Sequence, residues 1–143
     1  MSIFYQNRSE RLLFFTSHNN SFTAHLHRQV ELIVVLEGEL CTSIDHTEYK
    51  LSPGCAAIIF PNQLHSLKTV SDSRILLCIF DADYCHSYCN FFFRHATHKA
   101  ISFYLLRLPP MEKLPSTDCC FSRKPVKKEA LFQSIFSHLR RVT

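Results

Sequence analysis

The chain has 143 residues, of which 46% are hydrophobic, and its formal net charge is +4 at pH 7. This length and composition indicate one globular domain and exclude an intrinsically disordered chain. Its apolar runs have the length of strands, well short of the roughly 18 residues of a membrane helix, and its N-terminus lacks the pattern of a signal peptide. We therefore predict a cytoplasmic protein that contacts no membrane.

The distribution of charge and the cysteine content narrow the class of protein further. Residues 1–90 carry a net charge of −3 and residues 91–143 a net charge of +7, so the first part is not a nucleic-acid binder by charge. Seven cysteines are an odd number without the paired spacing of a secreted disulfide scaffold. We therefore interpret these cysteines as small apolar side chains of a protein in a reducing compartment.

Alternation and turn residues predict a series of short strands over the first 80 residues. The predicted strands are 11–16, 22–27, 31–36, 39–45, 48–51, 55–60, 64–69 and 74–80. Segment 31–36 is apolar at both parities, so we expect it to be covered on both faces. Strands this short and this close together predict an all-β sandwich or barrel.

Three residues mark the predicted structural turns between these strands. The chain has two glycines, and Gly38 and Gly54 stand where the backbone is expected to reverse or to take a positive φ. Ser52-Pro53-Gly54 has the signature of a type II turn, and Pro61 ends the strand before it.

The pattern of short alternating strands ends after Phe80. Residues 84–94 fit a helix or an irregular lid, 98–107 a strand or short helix, and 109–125 a proline-rich loop. Segment 126–141 has the apolar stripe of an amphipathic helix. The residues of this stripe are Leu131, Phe132, Ile135, Phe136 and Leu139. We predict a barrel over 1–83 and, over 84–143, a lid or loop region and a helix that packs on the barrel or on a dimer partner, within one domain overall.

The residues with the clearest chemistry are His25, His27, Glu31 and His65. Two histidines at i and i+2 on a strand point the same way and can reach one ion, and imidazole with carboxylate is a usual ligand set for a divalent metal. Glu31 shares their parity, and His65 comes from a later strand beside Leu67. These five residues are the candidate pocket, and the first four are candidate metal ligands.

The alternation in segment 22–27 leaves another interpretation open. Phe22, Ala24 and Leu26 share one face of the predicted strand, so the two histidines lie on the other face. Taken alone, this pattern indicates histidines that point to water or line a polar cleft opposite the packed face.

The spacing His25-x-His27-x3-Glu31-x6-Gly38 resembles the first cupin motif, and the interval from Gly54 to His65 resembles that of the second. The sequence of the two motifs, including Pro61-Asn62-Gln63-Leu64-His65, looks most like the N-terminal sensing domain of AraC/XylS-type bacterial transcription regulators. The resemblance covers roughly residues 10–81. Gln63 and Thr69 depart from the enzyme-type second motif, and Cys55 stands where an acidic residue often follows the glycine.

This resemblance implies a cupin double-stranded β-helix, a jelly-roll-like barrel, followed by C-terminal helical segments. It implies a small-molecule effector in the barrel, a homodimer, and DNA binding only through a C-terminal helix-turn-helix domain that this chain lacks. It implies no catalysis. The ion expected at the four candidate ligands is zinc or nickel, which imidazole suits.

Two other functions remain open from the sequence. One is a small metal-dependent cupin enzyme, an isomerase or a dioxygenase, which needs an open coordination position and a further acid or base. Its candidate groups, Cys41, Ser43, Tyr49 and Thr69, are weak. The other is a stand-alone metal- or carbohydrate-binding cupin.

Overall fold

Eight strands make up the part of the chain that the computed structural model describes, residues 3–85 and 106–107. They are β1 (Phe4–Tyr5), β2 (Leu12–His18), β3 (Phe22–Leu26), β4 (Val30–Ile44), β5 (Thr47–Leu51), β6 (Cys55–Ile59), β7 (His65–Phe80) and β8 (Leu106–Arg107). A 3₁₀ turn, Ala82–Cys85, follows β7. Within these residues no helix is long and apolar enough to cross a membrane.

The two longest strands, β4 and β7, organise the sheet. They pair antiparallel from Val30 opposite Phe80 to Ile44 opposite His65. β6 pairs with the first half of β4, and β5 pairs with its second half. β3 pairs with the first half of β7, and β2 pairs with its second half. Outer strands β1 and β8 pair with β3 and β6.

One hydrophobic cluster shows that these two halves of the sheet face each other. Ile33 and Ile59 from the β6 side belong to the same cluster as Leu51 and Leu67 from the β5 side. A sheet whose two ends pack on one core must curl, as in a jelly roll. The prediction of an all-β barrel is therefore confirmed at the level of a curled sheet.

The predicted break between strands 31–36 and 39–45 is wrong, because β4 runs through Gly38 without reversing. The pairing with β7 shifts register between Val35 and Leu40, so the strand bends here through a bulged segment. Gly38 has φ +70°, and a Cβ on it would lie 1.7 Å from the carbonyl oxygen of Asp72. Glycine is thus required at the bend and at the close approach of β7, which likewise continues through the predicted gap between 64–69 and 74–80.

The other two predicted turns are present. The amide of Cys55 donates to the carbonyl oxygen of Ser52 at 2.9 Å, and Gly54 has φ +82°, which confirms the type II turn. After β6, Pro61 and Asn62 occupy the centre of a second turn, in which Asn62 has φ +64°. This second turn places His65 at the start of β7.

The segment predicted to be covered on both faces is buried as expected. Ile33 and Val35 face the cluster, Leu32 and Val34 lie on the opposite face, and none of the four is more than 1% exposed. Burying such a side chain contributes roughly 1.5–3 kcal/mol, so β4 is a major source of stability.

Most of the predictions for the C-terminal part lie outside the described residues. This applies to segment 109–125, to the helix over 126–141 with its stripe from Leu131 to Leu139, and to all but the first two residues of 84–94. Within 98–107, Leu106–Arg107 forms the short strand β8.

Candidate metal centre

An irregularity in β3 brings His25 to the inner face of the sheet. Phe22 pairs with Leu67 and His25 with His65, so three steps along β3 match two along β7. This extra residue is a β-bulge, which interrupts strict alternation. Phe22 and His25 therefore lie on the same side, with ring centroids 4.5 Å apart.

The two histidines of the first motif are buried, not directed to water. His25 is 3% and His27 is 1% exposed. The interpretation of outward histidines assumed one alternation over 22–27, and the bulge removes that assumption. Sequence alone carried no signal for the bulge, since no glycine marks it.

The structure brings all four candidate ligands together. The nearest donor atoms of His25, His27, Glu31 and His65 lie within 4.8 Å of one another, and none of these residues is more than 3% exposed. They come from β3, the loop after it, β4 and β7. A cluster of three imidazoles and one carboxylate is a suitable ligand set for a divalent metal.

Backbone hydrogen bonds set the orientation of each imidazole. The Nδ1 atoms of the three histidines each lie 2.9 Å from a backbone carbonyl oxygen. The acceptors are Thr23 for His25, Gln29 for His27 and Gln63 for His65. Because a carbonyl oxygen can only accept, each Nδ1 must donate, and Nε2 is left for the cluster. Metal-binding histidines are commonly fixed in this way.

The loop between β3 and β4 is held from two sides. The side-chain amide of Gln29 donates to the carbonyl oxygen of Glu10 at 2.6 Å and to Asp81 Oδ1 at 3.0 Å. The carbonyl oxygen of His27 accepts from the amide of Asn62 at 2.8 Å, which ties this loop to the turn before His65. These contacts fix the loop between the second histidine and Glu31.

The carboxylate of Glu31 faces the Nε2 atoms of two histidines, and this arrangement requires a positive charge between them. Glu31 Oε2 lies 3.1 Å from His27 Nε2 and 3.7 Å from His65 Nε2. If both imidazoles are neutral with Nδ1 protonated, lone pairs face lone pairs. His65 Nε2 is also buried without a hydrogen-bond partner, and buried groups of this kind are normally satisfied. A cation held by the Nε2 atoms and Glu31 meets each of these needs, so the residues fit a metal.

The protonation states agree with this role. Burial alone would raise the pKa of Glu31, but the neighbouring imidazoles of His27 and His65 hold it down to about 2. Burial, and then the neighbouring imidazole of His65, lower the pKa of His25. At neutral pH, Glu31 is therefore an anion and His25 is a neutral imidazole, which are the forms that bind metal.

A cavity of about 180 Å³ adjoins the cluster, with His25 and Glu31 in its lining. The lining combines apolar walls with a few polar side chains. The apolar residues are Phe15, Phe22, Leu67, Leu77 and Ile79, and the other polar residues are Gln6, Arg8 and Asn20. Leu67 was predicted as a pocket residue. Gln6 and Arg8 were missed, because nothing in the sequence shows that β1 pairs beside His25.

Comparison with known proteins gives one family match. A family model described as a cupin domain matches residues 14–80. This range includes all four residues of the cluster and both glycines. The predicted cupin motifs at His25–Gly38 and Gly54–His65 therefore lie within the residues that this model matches.

Solved structures similar to this chain include several cupins. An RmlC-like cupin from Shewanella frigidimarina is 18% identical, with a TM-score of 0.45 over 48% of this chain and 65% of that chain. A cupin superfamily protein from Desulfitobacterium hafniense is 17% identical, with a TM-score of 0.46 over 52% and 72%. The EutQ protein from Clostridium difficile is 21% identical, with a TM-score of 0.44 over 52% and 60%. The chain spans less than two thirds of the first and third of these. No curated protein matches the chain.

Proposed function

We propose that this cupin domain is a non-catalytic module that binds a small-molecule effector beside a divalent metal. The observation that supports it is the buried cluster of His25, His27, Glu31 and His65 with a cavity along one side. Two of the four residues border the cavity, so a molecule inside it can contact the metal-binding atoms. A bound metal would act there as a Lewis acid that holds an electron-rich group of the effector. Imidazole ligands favour zinc or nickel.

The chemistry of the cavity supports binding over catalysis. A catalytic acid or base must lie within hydrogen-bond reach of the reacting group. Among the described residues that line the cavity, the titratable groups besides Arg8 are His25 and Glu31, and both belong to the cluster. The weak candidates Cys41, Ser43, Tyr49 and Thr69 are not in that lining, and the Thr69 hydroxyl donates to the carbonyl oxygen of Asn20 at 2.7 Å.

We place this module in a transcription regulator of the AraC/XylS type. The support is the sequence resemblance over residues 10–81, in which the second motif takes the regulator form at Pro61-Asn62-Gln63-Leu64-His65. In this proposal the amphipathic segment 126–141 mediates a homodimer, and DNA is contacted by a separate C-terminal helix-turn-helix domain. Such a sensing domain would act in the cytoplasm.

Metal binding is the first test. The purified chain is stripped with chelator and titrated with zinc and with nickel by calorimetry, and its metal content is measured by mass spectrometry. We expect one ion per chain, lost in His25→Ala and His27→Ala and kept in His18→Ala. His18 is a matched control because it is exposed and lies outside the cluster. A wild-type chain that binds neither metal would contradict the proposal.

Two further measurements separate the proposal from its alternatives. Light scattering should show a dimer, and a strictly monomeric chain would count against the regulator form. Tightly bound iron or manganese, with oxygen consumption or isomerisation that disappears in His27→Ala, would favour a metal-dependent enzyme. Metal binding in a strict monomer, with an effector but without turnover, would favour a stand-alone binding cupin.

A further inference from the structure

The cavity contains a second set of unsatisfied polar atoms, separate from the metal ligands. Arg8 Nε and Gln6 Oε1 are both buried and both lack a hydrogen-bond partner, and both residues line the cavity. In the described part of the chain, Arg8 takes part in no ion pair. Two residues that line one cavity therefore each carry a buried polar atom without a partner, a donor in the guanidinium of Arg8 and an acceptor in the amide of Gln6.

The backbone explains why these two side chains reach the cavity. β1 pairs in parallel with β3, with Phe4 in register with His25. The amide of Gln6 then donates to the carbonyl oxygen of Leu26 at 2.7 Å, which continues this pairing by one residue. Side chains two apart in extended chain share a face. Gln6 thus follows Phe4 on the side of β1 that His25 occupies on β3, and Arg8 lies two residues further along the chain.

The unpartnered atoms specify the chemistry of a missing ligand. A guanidinium prefers a carboxylate or phosphate, to which it can donate two parallel hydrogen bonds. Arg8 is the one Lys or Arg side chain among the described lining residues. The free oxygen of Gln6 needs a donor, such as a hydroxyl or amino group.

The size and walls of the cavity choose between the anions. A cavity of about 150 Å³ is large enough for benzene, so 180 Å³ accommodates a small organic molecule. Five apolar side chains line it, and inorganic phosphate offers nothing to pack against them. An organic acid with a short hydrocarbon body matches both the charge and the walls.

We propose that the effector of this domain is a small organic carboxylate that carries a hydroxyl or amino donor, with its carboxylate bound by Arg8 and its donor bound by Gln6. This inference deepens the proposed function and rests on it. Arg8 and Gln6 bind one end of the ligand while the metal cluster borders the same cavity, so ligand selection and metal binding use different residues.

The test uses 2-hydroxyisovalerate as the probe, because it has a carboxylate, a hydroxyl and an isopropyl group. Binding to the zinc-loaded chain is measured by calorimetry and compared with its uncharged amide, with isovalerate, which lacks the hydroxyl, and with inorganic phosphate. We expect the hydroxy acid to bind most tightly. Arg8→Gln should weaken it about ten- to a hundredfold, as expected for a charge-assisted hydrogen bond, and should leave the amide and the zinc affinity unchanged.

Arg28→Gln is the matched control. It makes the same change of charge next to the metal site, but the Arg28 side chain is 58% exposed and is not in the cavity lining. It should leave binding of the acid unchanged. Gln6→Leu should remove the preference for 2-hydroxyisovalerate over isovalerate without affecting zinc.

The outcomes separate this inference from the proposed function. If zinc binds but the acid does not, or if the amide or phosphate binds as tightly as the acid, the carboxylate inference is wrong while the metal module stands. Equal loss of acid binding in Arg8→Gln and Arg28→Gln would also overturn it, because it would indicate a general charge effect. If zinc itself fails to bind, the proposed function fails first.

Discussion

The regular alternation of inward and outward side chains is interrupted at two places in this sheet, and the two irregularities have different roles. The bulge in β3 allows both Phe22 and His25 to face inward. The bulged bend in β4 changes the parity of the buried face, from Ile33 and Val35 before Gly38 to Leu40 and Ile44 after it. The first irregularity positions a functional side chain, and the second lets one strand serve both halves of the core. Disrupting the second should therefore cost stability, and disrupting the first should cost binding.

The largest expected effect is on folding, from Gly38→Ala. The new Cβ would lie 1.7 Å from the Asp72 carbonyl oxygen, at a φ of +70°, and backbone cannot yield as a flexible side chain can. We expect a loss of more than about 4 kcal/mol in the free energy of unfolding, or an insoluble chain, measured by urea denaturation. Gly54→Ala is the control, since its positive φ alone should cost only about 1–2 kcal/mol. Similar losses in both variants would show that the close approach to Asp72 is unimportant.

The next effect is on metal affinity, from His65→Ala. Its Nε2 faces Glu31 without a hydrogen-bond partner, so the replacement removes a ligand and leaves the β4 bend untouched. We expect zinc affinity to fall by more than about 100-fold, beyond the range typical of outer-shell changes, as measured by competition with a chromogenic chelator. His18→Ala should bind zinc like the wild type. Unchanged affinity in His65→Ala would remove this residue from the ligand set.

A third effect is on the acid stability of the metal-free chain. The pKa of Glu31 is lowered from 4.5 to about 2, so its ionised form stabilises the fold above pH 4.5. That contribution is lost as the pH falls from about 4.5 towards 2, and it is on the order of 3 kcal/mol.

Urea midpoints measured across that pH window should show this loss in the wild type and a flatter profile in Glu31→Gln. Glu37→Gln serves as the control, because Glu37 is exposed and its contact with Arg74 is screened by water. A wild-type profile as flat as that of Glu31→Gln would contradict the lowered pKa of Glu31.

The smallest effect is expected from Phe22→Ala, which alters the β3 bulge. Phe22 is 38% exposed, so stability should change by less than about 1 kcal/mol. Its ring packs on the edge of His25, and without it zinc affinity should fall by up to about tenfold. Phe15→Ala, also at the cavity wall and similarly exposed, should leave zinc affinity unchanged. If Phe22→Ala lowers stability severely while zinc affinity is kept, the assignment of roles to the two irregularities is reversed.

The sequence predicted most of the strands because burial in this sheet follows simple patterns. Segment 31–36 is apolar at both parities, and Ser52-Pro53-Gly54 admits few other structures. Spacing, together with the resemblance to the cupin motifs, also identified the four residues that the structure brings together. These features depend on local residue types, which a sequence displays directly.

The features that the sequence missed depend on contacts between distant segments. Gly38 was interpreted as a turn because a positive φ serves a turn and a bulge equally well, and only the approach of Asp72 distinguishes them. The β3 bulge is defined by the register against β7. Arg8 lies in a polar segment without periodicity, and its place at the cavity depends on the parallel pairing of β1 with β3.

Because of that parallel pairing, metal binding and ligand selection depend on different segments of the chain. The ligands of the candidate metal centre all follow residue 24, whereas Gln6 and Arg8 precede β2 and are attached to the barrel through a two-residue strand. A deletion of the first eight residues would leave the metal cluster intact and remove both polar groups of the carboxylate site. Exchange of this short N-terminal stretch between related domains would be a direct route to new effector specificity on an unchanged scaffold.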